Sequence, residues 1–230
     1  MPEKLDLKQV LAIGRTLDEY SRMFDLRFTE LKGAAILDMG GGVSSFTAEG
    51  NELGLNIKSC DRIYGVPVEA LEAKCEADLK AMMEKLPAVR DNYLWDFYGN
   101  EKSLGEYREK AYKTFINDYA RDDKTRYIKS ELPFTVFTDR EFDITLVSHF
   151  LFLYDEHKDY NFHMDSIAEL IRITKEEIRI FPVVNLRWKK SEFVEKIMNE
   201  AAFGKCRFEL KTVDFEFVKG GNEYLSIKMG

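Results

Sequence analysis

Apolar residues along this chain follow two patterns that alternate from one end to the other. Short continuous apolar runs predict buried strands, and apolar residues spaced three or four apart predict amphipathic helices. The runs predict strands at 34–37, 55–60, 126–129, 142–148, 177–184, 207–217 and 224–229. The helical spacing predicts an N-terminal helical lead-in within 1–31, a helix that opens over 44–49, and helices at 68–86, 162–173 and 191–202.

This alternation determines the expected fold class. Strand–helix–strand units are right-handed and set parallel strands side by side, with helices on both faces of the sheet. The last two strands differ, because they are separated only by a turn at Gly220, Gly221 and Asn222. A parallel pair needs a crossover of about a dozen or more residues, so this pair must be antiparallel. We therefore expect a doubly wound α/β fold, whose mostly parallel seven-stranded sheet ends in a C-terminal antiparallel hairpin.

Residues 89–125 interrupt the alternation. They contain many aromatic side chains among nearly balanced charges, namely Tyr93, Trp95, Phe97, Tyr98, Tyr107, Tyr112, Phe115 and Tyr119. This density predicts a helical, aromatic-rich insertion within a single domain that spans 1–230. Two uses stay open: a lid beside the pocket mouth that places one of these rings at a substrate, or a packed subdomain that serves as an interface.

A strand that runs into three glycines is the most informative motif. The apolar run 34–37 leads to Asp38, and Gly40, Gly41 and Gly42 follow before the next helix opens. Glycines let the backbone approach a ligand closely, and a helix N-terminus offers free N–H groups to a polar or anionic group. The motif predicts a nucleotide or nucleoside site at the carboxyl ends of the strands. The alternative is a tight turn that holds no ligand.

Two residues argue against a dinucleotide at this turn. The dinucleotide fingerprint is G-x-G-x-x-G, and Ser45 stands where its third glycine belongs. Asp38 would repel a pyrophosphate, whereas a carboxylate at that position suits a ligand with a cationic end. A nicotinamide-dependent dehydrogenase is therefore disfavoured.

The same residues resemble a known family. From Ile36 to Ser44 the sequence ILDMGGGVS resembles the first motif of the class I S-adenosylmethionine-dependent methyltransferases, an acid followed by G-x-G-x-G, with Ser44 replacing the last glycine. The sequence YIKSELPF over 127–134 resembles the adenine-contacting loop of that family, and FDITLVSH over 142–149 resembles its fourth-strand motif. The resemblance covers residues 34–230, including the terminal hairpin.

The resemblance implies S-adenosylmethionine as the cofactor and gives roles to residues by position. It implies that Asp38 lies near the methionine amino group and that Gly40, Gly41 and Gly42 admit the cofactor. It also implies that Asp61, after the second strand, accepts hydrogen bonds from both ribose hydroxyls, for which a carboxylate has two acceptor oxygens. The alternative for Asp61 is a turn residue or a helix cap. The other implied cofactor residues are Arg62, Ser130, Glu131 and Ser148.

His149 is the candidate catalytic residue, because it stands at the end of the fourth predicted strand, beside the transferable methyl group in the related family. A neutral imidazole there could accept the proton of a hydroxyl or amine as it is methylated. The alternative is a structural histidine. Methyltransferases of base amines carry an Asn/Asp-Pro-Pro-Tyr/Phe loop at this point, and the sequence SHFL favours a small-molecule acceptor instead. His157 and His163 are expected at the surface, and no metal-ligand spacing is present.

The composition of the chain limits the classes of partner that it is expected to bind. The chain carries 34 Lys+Arg against 41 Asp+Glu, a formal net charge of −7, so nucleic acid is an unfavoured partner. Its cysteines are three in number and widely spaced, which disfavours a disulfide framework or zinc site and fits a reducing cytoplasm. No apolar run is long enough to span a bilayer, so no membrane is expected. A homo-oligomer is left open.

The sequence therefore predicts a cytoplasmic S-adenosylmethionine-dependent methyltransferase that acts on a small organic acceptor. Because a fold does not fix a function, two alternatives stay open. One is an RNA or protein methyltransferase on the same fold. The other is a non-catalytic cofactor-binding or interaction module.

Overall fold

A seven-stranded sheet runs through the computed structural model, which describes residues 11–155 and 158–230. The strands are β1 (Ala35–Met39), β2 (Asn56–Cys60), β3 (Tyr127–Ile128), β4 (Phe142–Ser148), β5 (Thr174–Phe181), β6 (Arg207–Thr212) and β7 (Glu223–Lys228). The helices are α1 (Leu17–Met23), α2 (Phe46–Glu52), α3 (Val68–Lys85), α4 (Glu101–Tyr119), α5 (Tyr160–Ile173) and α6 (Glu192–Met198). None of these helices is both long enough and apolar enough to cross a membrane.

The strand order is β3-β2-β1-β4-β5-β7-β6. Neighbours from β3 to β5 are parallel, whereas β7 pairs antiparallel with both β5 and β6. The predicted doubly wound sheet with its C-terminal antiparallel hairpin is confirmed. It has the class I methyltransferase fold that the sequence motifs indicated.

β1 lies at the point where the strand order changes direction. The chain continues from β1 to β2 on one side, and β4 pairs on the other side. Ligands of open α/β sheets bind in the crevice outside the carboxyl ends of the strands at such a switch point. β1 is buried along nearly its whole length, as expected for a strand covered on both faces. The sheet therefore places the glycine turn, which follows β1, at this crevice.

The N-terminal lead-in is less helical than its apolar spacing predicts. α1 is its only helix within the described residues, and 11–16 reach it in a non-helical path. Thr16 begins α1 through a capping box with Glu19, in which each side chain binds the other residue's backbone N–H. Asp25 then takes a left-handed φ of 48°, so the chain turns away from the helix axis. The part of this prediction that falls on residues 1–10 lies outside the described residues.

The connection between the last two strands is longer than the predicted Gly-Gly-Asn turn. β6 ends at Thr212, opposite Glu223 of β7, so residues 213–222 form the connection. Phe215 is buried in it and Phe217 stacks on Tyr93. These rings leave the strand because they pack against the aromatic insertion. The antiparallel pairing itself is as predicted.

The bounds of β5 and α6 also differ from the prediction. β5 begins directly after α5 and ends at Phe181, because Pro182 has no N–H with which to continue the ladder. α6 ends at Met198, where Asn199 caps it and a short 3-10 helix over Ala201–Phe203 follows.

His163, expected at the surface, is buried in α5, with its ring nitrogens 2.8 Å and 2.9 Å from the carbonyl oxygens of Asp159 and Leu151. His157 lies outside the described residues.

The segment 89–125 contains the end of a 3-10 helix (Leu86–Asn92) and all of α4, which packs on α2 and α3. Its rings fall into two groups. The first packs against the β6–β7 connection and comprises Tyr93, Trp95, Phe97, Tyr98 and Tyr107. The second packs against Tyr64 and Tyr127 and comprises Tyr112, Phe115 and Tyr119. Whether the segment acts as a lid stays a prediction.

Candidate functional site

The turn after β1 has a backbone that favours glycine. Gly40 has a φ of 72° and Gly42 a φ of 55°, both in the left-handed region where a Cβ is unfavourable. The Gly40 N–H donates to the Cys60 carbonyl at 2.7 Å, which fastens the turn to the end of β2. The turn geometry alone therefore accounts for these two glycines, whether or not a ligand binds.

The space around the glycines shows which side of the turn is open. A Cβ on Gly41 would lie 2.1 Å from Ser59 Oγ and 2.3 Å from Asp38 Oδ2, so Gly41 faces the protein interior. A Cβ on Gly42 would meet only Asp61 Oδ2, at 3.9 Å. The backbone at Gly42 is therefore the part of the turn that a ligand could approach.

Asp61 lies directly beside that open position. Its Oδ2 accepts a hydrogen bond from the Gly42 N–H at 3.0 Å, and its Oδ1 accepts one from the Ile63 N–H at 3.0 Å. Burial raises the pKa of Asp61 to about 6, although these two N–H donors and the nearby Arg62 oppose the rise. The structure thus places Asp61, at the end of β2, next to the glycine turn, and the two N–H donors fix the orientation of its carboxylate.

Asp38 lies beneath the turn, and its side chain is buried. The Tyr20 hydroxyl donates to its Oδ1 at 2.9 Å, and the Ser59 hydroxyl lies 3.4 Å from its Oδ2. Burial raises the pKa of Asp38 to about 7, and the negative charge of Asp61 adds to the rise. No lysine, arginine or histidine among the described residues forms an ion pair with it. A cationic ligand group nearby would therefore favour its ionised form.

The loop after β3 carries two of the other predicted residues, Ser130 and Glu131. Ser130 Oγ accepts a hydrogen bond from the Val136 N–H at 3.2 Å, so this side chain is engaged within its own loop. Glu131 and Arg62 are both well exposed, with Glu131 Oε2 3.9 Å from Arg62 Nε. This loose pair links the loop to the residue after Asp61, and a pair so exposed contributes little to stability.

Ser148 and His149 end β4 on the other side of β1. Ser148 Oγ and His149 Nδ1 are 2.9 Å apart. His149 has a φ of 52°, which is uncommon for a residue other than glycine, and its N–H donates to the Phe181 carbonyl at 2.7 Å. Burial lowers the pKa of His149 well below its ordinary value, and the charges of Arg15 and Arg108 lower it further. Its imidazole is therefore neutral near pH 7.

Three residues that support the glycine turn from below were not predicted from the sequence: Tyr20, Ser59 and Tyr64. The Tyr64 hydroxyl donates to the Gly42 carbonyl at 2.9 Å and lies 2.7 Å from Ser59 Oγ. Together with the Tyr20 bond to Asp38, this network supports the turn from below. No local motif marks these residues, because each acts through a contact with a distant part of the chain.

The N-terminal segment also packs on the glycine turn. The Arg15 N–H donates to Ser44 Oγ at 3.0 Å, and the Ser45 N–H donates to the Arg15 carbonyl at 2.9 Å. A Cβ on Gly14 would lie 2.2 Å from the Val43 carbonyl oxygen, so no other residue fits there without a shift of the backbone. Residues 14–16 are thus part of the wall around the site.

Comparison with known sequences identifies one extensive relationship. No protein-family model matches the chain. Over 225 residues the chain is 47% identical to uncharacterized protein MJ0045 of Methanocaldococcus jannaschii, an alignment that covers 97% of this chain and 98% of that protein. An identity this high along nearly the full length of both chains indicates a shared fold.

The chain also resembles solved structures with which it shares little sequence identity. Magnesium protoporphyrin IX methyltransferase from Synechocystis PCC 6803 with bound SAH is 11% identical, with a TM-score of 0.49 and coverage of 100% of this chain and 90% of that chain. A putative S-adenosylmethionine-dependent methyltransferase from Methanococcus maripaludis is also 11% identical, with a TM-score of 0.45 and coverage of 93% and 83%. The strand order of this chain itself identifies its fold. By its sequence identity to MJ0045, the chain belongs to the family of that protein, and its fold is the class I methyltransferase fold.

Proposed function

We propose that this protein is an S-adenosylmethionine-dependent methyltransferase that acts on a small organic acceptor. The observation that carries the proposal is the position of Asp61, whose carboxylate is fixed beside the open side of the glycine turn at the switch point of the sheet. Each carboxylate oxygen accepts one backbone N–H and keeps a lone pair for a further bond. Two adjacent acceptors of this kind suit the two hydroxyls of a ribose.

The crevice residues fit this cofactor from one end to the other. Asp61 would hold the ribose, and the backbone at Gly42 would lie against the cofactor without obstruction. Asp38 would interact with the ammonium group, whose positive charge offsets the cost of ionising a buried carboxylate. Ser130, Glu131 and Arg62 would border the adenine end. When bound, the cofactor supplies a methyl group activated by its sulfonium.

At the methyl end, Ser148 and His149 would face the acceptor. A neutral imidazole can accept a proton from a hydroxyl or amine. If Nδ1 carries the proton and donates to Ser148 Oγ, Nε2 is left as the free acceptor, and no described residue forms a hydrogen bond with it. His149 would thus orient the acceptor and take its proton. The protein's main contributions are positioning and exclusion of water.

The alternatives fit the structure less well. A nicotinamide-dependent dehydrogenase is disfavoured because β7 is antiparallel, whereas the dinucleotide-binding fold uses parallel strands in its second half. An RNA substrate is disfavoured by the net charge of −7. A non-catalytic cofactor-binding module has the same crevice, so activity must distinguish it. A cytoplasmic location remains a prediction of the sequence.

The proposal is tested by binding and turnover. Calorimetry should show that the protein binds S-adenosylhomocysteine and not NAD. Incubation of the protein with S-adenosylmethionine and a small-molecule cell extract should then yield S-adenosylhomocysteine, at a rate that falls when the extract is omitted. Absence of S-adenosylhomocysteine binding would reject the proposal, and binding without turnover would favour the non-catalytic module.

A further inference from the structure

β6 forms one edge of the sheet, and β7 is its only neighbouring strand among the described residues. The opposite edge is β3, which consists of only two residues. β6 has six residues and contains neither proline nor glycine. An edge strand presents unpaired N–H and C=O groups with which another strand can pair. β6 is therefore the edge of the described sheet that is long enough to accept a further strand.

The pairing with β7 shows which backbone groups of β6 face outward. The Val213 N–H donates to the Asn222 carbonyl at 2.9 Å, and this pair continues the register of the β6–β7 ladder. In an antiparallel ladder, hydrogen-bonded pairs alternate with pairs that exchange no hydrogen bond. The odd-numbered residues of β6 therefore bond to β7. The residues whose N–H and C=O groups point to the outer edge are Phe208, Leu210 and Thr212.

The ladder on the other side of β7 agrees with this assignment. The Met229 N–H donates to the Glu176 carbonyl at 2.9 Å, and this pair continues the β5–β7 register. The odd-numbered residues of β7 therefore bond to β5, and its even-numbered residues bond to β6. In the β6–β7 register each of these even-numbered residues lies opposite an odd-numbered residue of β6. Within the described part of the chain, no hydrogen bond fills the outward groups of β6.

The side chains of β6 alternate between charged and apolar. Arg207, Glu209 and Lys211 lie on one face of the strand, and Phe208 and Leu210 lie on the other, where they pack against the core. Glu209 and Lys211 are both half-buried, and neither forms an ion pair with a residue that the structure describes. The edge thus carries one negative and one positive side chain, two residues apart on the same face.

This spacing makes β6 complementary to a second copy of itself. We call the antiparallel pairing of two β6 strands about a two-fold axis at Leu210 the Leu210 register. It places Phe208 opposite Thr212 of the second copy, so that the outward N–H and C=O groups bond to each other. It also places Glu209 opposite Lys211 at a pair without hydrogen bonds, where the Cα atoms are about 4.5 Å apart and the side chains are closest. By symmetry this charge pair occurs twice.

Other registers are less favourable. An axis at Glu209 would place this residue opposite itself and Arg207 opposite Lys211, and like charges directly opposite each other are destabilising. An axis at Phe208 would pair Arg207 with Glu209, but it would leave the second half of β6 without a strand opposite. The Leu210 register combines opposite charges with the longest overlap of the two strands.

We propose that this protein forms a two-fold symmetric dimer in which the β6 strands of two copies pair in the Leu210 register, so that the two sheets become one continuous sheet. A second copy is the partner because the charge pattern complements itself in the antiparallel direction. The assembly stops at two copies, since a two-fold interface is closed and β3 is too short to accept another strand. The crevice at β1 lies four strands away from β6, so the inference does not depend on the proposed function.

Charge reversal tests the register. Sedimentation should show that the unchanged protein is a dimer that dissociates on dilution. Glu209→Lys places lysine opposite lysine and should raise the dissociation constant about tenfold or more, and Lys211→Glu should do the same with two glutamates. A mixture of the two variants should form a heterodimer, because each lysine then lies opposite a glutamate. The control is Glu52→Lys, the same change at an exposed residue at the end of α2, which should leave the dissociation constant unchanged.

Hydrogen exchange of the unchanged protein gives a test that needs no variant. The amides of Phe208, Leu210 and Thr212 should exchange slowly in the dimer and faster after dilution, whereas those of Glu209 and Lys211 should change less because they already bond to β7. A protein that is still monomeric at about 1 mM would overturn the proposal. So would a dimer that both charge reversals leave intact, variants that do not associate when mixed, or outward amides that dimerisation does not protect.

Discussion

The Tyr20 hydroxyl donates a hydrogen bond of 2.9 Å to Asp38 Oδ1 and thereby joins α1 to the end of β1. The Tyr20 ring also stacks on Phe46, the first residue of α2, with 4.3 Å between ring centroids. One side chain of the N-terminal helix therefore contacts the chain both before and after the glycine turn. The turn and α1 should behave as one structural unit.

Tyr20→Phe should lower the free energy of unfolding by about 1–3 kcal/mol, because it leaves a buried carboxylate oxygen without its donor. Chemical denaturation measures this loss. Tyr107→Phe is the control, since it removes a hydrogen bond of 3.2 Å from the exposed Asp18 and should cost far less. Equal losses in the two variants would show that the Tyr20–Asp38 hydrogen bond contributes no more to the free energy of unfolding than the exposed bond of Tyr107.

The affinity for S-adenosylhomocysteine should rise with pH from about pH 5 to about pH 8, because the ligand's ammonium group favours ionised Asp38. The pKa of Asp38 is about 7 and that of Asp61 is about 6 without ligand, so binding should release protons in this range. Calorimetry in buffers of different ionisation enthalpy counts these protons. The pH dependence should weaken in Asp38→Asn, and a pH-independent affinity of the unchanged protein would contradict the assignment of Asp38.

The same two carboxylates predict how stability changes with pH. Their pKa values are higher in the folded protein than the ordinary value of 3.8, so the folded state binds protons more tightly than the unfolded state does. Their contribution to stability is therefore greatest below about pH 4 and is lost as the pH rises to about 7. Asp38→Asn should reduce this loss, as measured by denaturation across the pH range, and an unchanged slope would contradict the raised pKa.

Asp61→Ala should weaken S-adenosylhomocysteine binding by about 1.5–3 kcal/mol, the range for a hydrogen bond to a charged group. Asp123→Ala, at an exposed residue far along the chain from the turn, serves as the control for loss of a carboxylate. Calorimetry on folded protein is the measurement. Unchanged affinity in Asp61→Ala would remove Asp61 from the site.

Ser148→Ala should change the proton distribution on the His149 imidazole, because Ser148 Oγ is the hydrogen-bond partner of Nδ1. Nitrogen NMR of the ring should show Nδ1 protonated in the unchanged protein and a mixture of tautomers in the variant. His149→Gln should leave S-adenosylhomocysteine affinity unchanged and lower methyl transfer by a factor of about 10²–10⁴, if the imidazole acts as the base. Full activity in His149→Gln would reduce His149 to a structural role.

Hydrogen exchange in residues 89–125 should slow when S-adenosylhomocysteine and the acceptor are both present, as expected of a segment that closes over ligands. The slowing should be largest for the backbone amides of the residues whose rings pack on the β6–β7 connection, such as Tyr93. α5, which lies outside this segment, provides an internal comparison. Unchanged exchange in 89–125 would favour the interface instead of the lid.

The sheet was predictable because its signals are local. Each strand is a short apolar run, the glycines follow the first run directly, and Asp61 follows the second, so fold and turn could be placed without tertiary information. The predicted ends of strands and helices were less accurate where tertiary packing, and not the local apolar pattern, decides where the element ends. β6 ends early because Phe215 and Phe217 pack on the insertion, and Ser45, at the N-cap of α2, binds Glu49 instead of a helix N–H.

The buried ion pair between Arg108 and Glu19 could not be predicted from the sequence. Arg108 and Glu19 are 89 residues apart in the chain. Helical spacing puts Arg108 on the buried side of α4, four residues after Leu104 and three before Ala111, but it does not show which acid the arginine pairs with. Only the packing of α4 against the N-terminal segment brings these residues together.

The contact between Gly14 and the Val43 carbonyl has a practical consequence for anyone who shortens this protein. A truncation that starts at α1 would keep every helix and strand of the described fold. It would nevertheless lose Arg15 and the backbone that covers Val43, Ser44 and Ser45. Such a fragment would be a poor reagent for ligand screening, because its nucleoside crevice would have lost one of its walls.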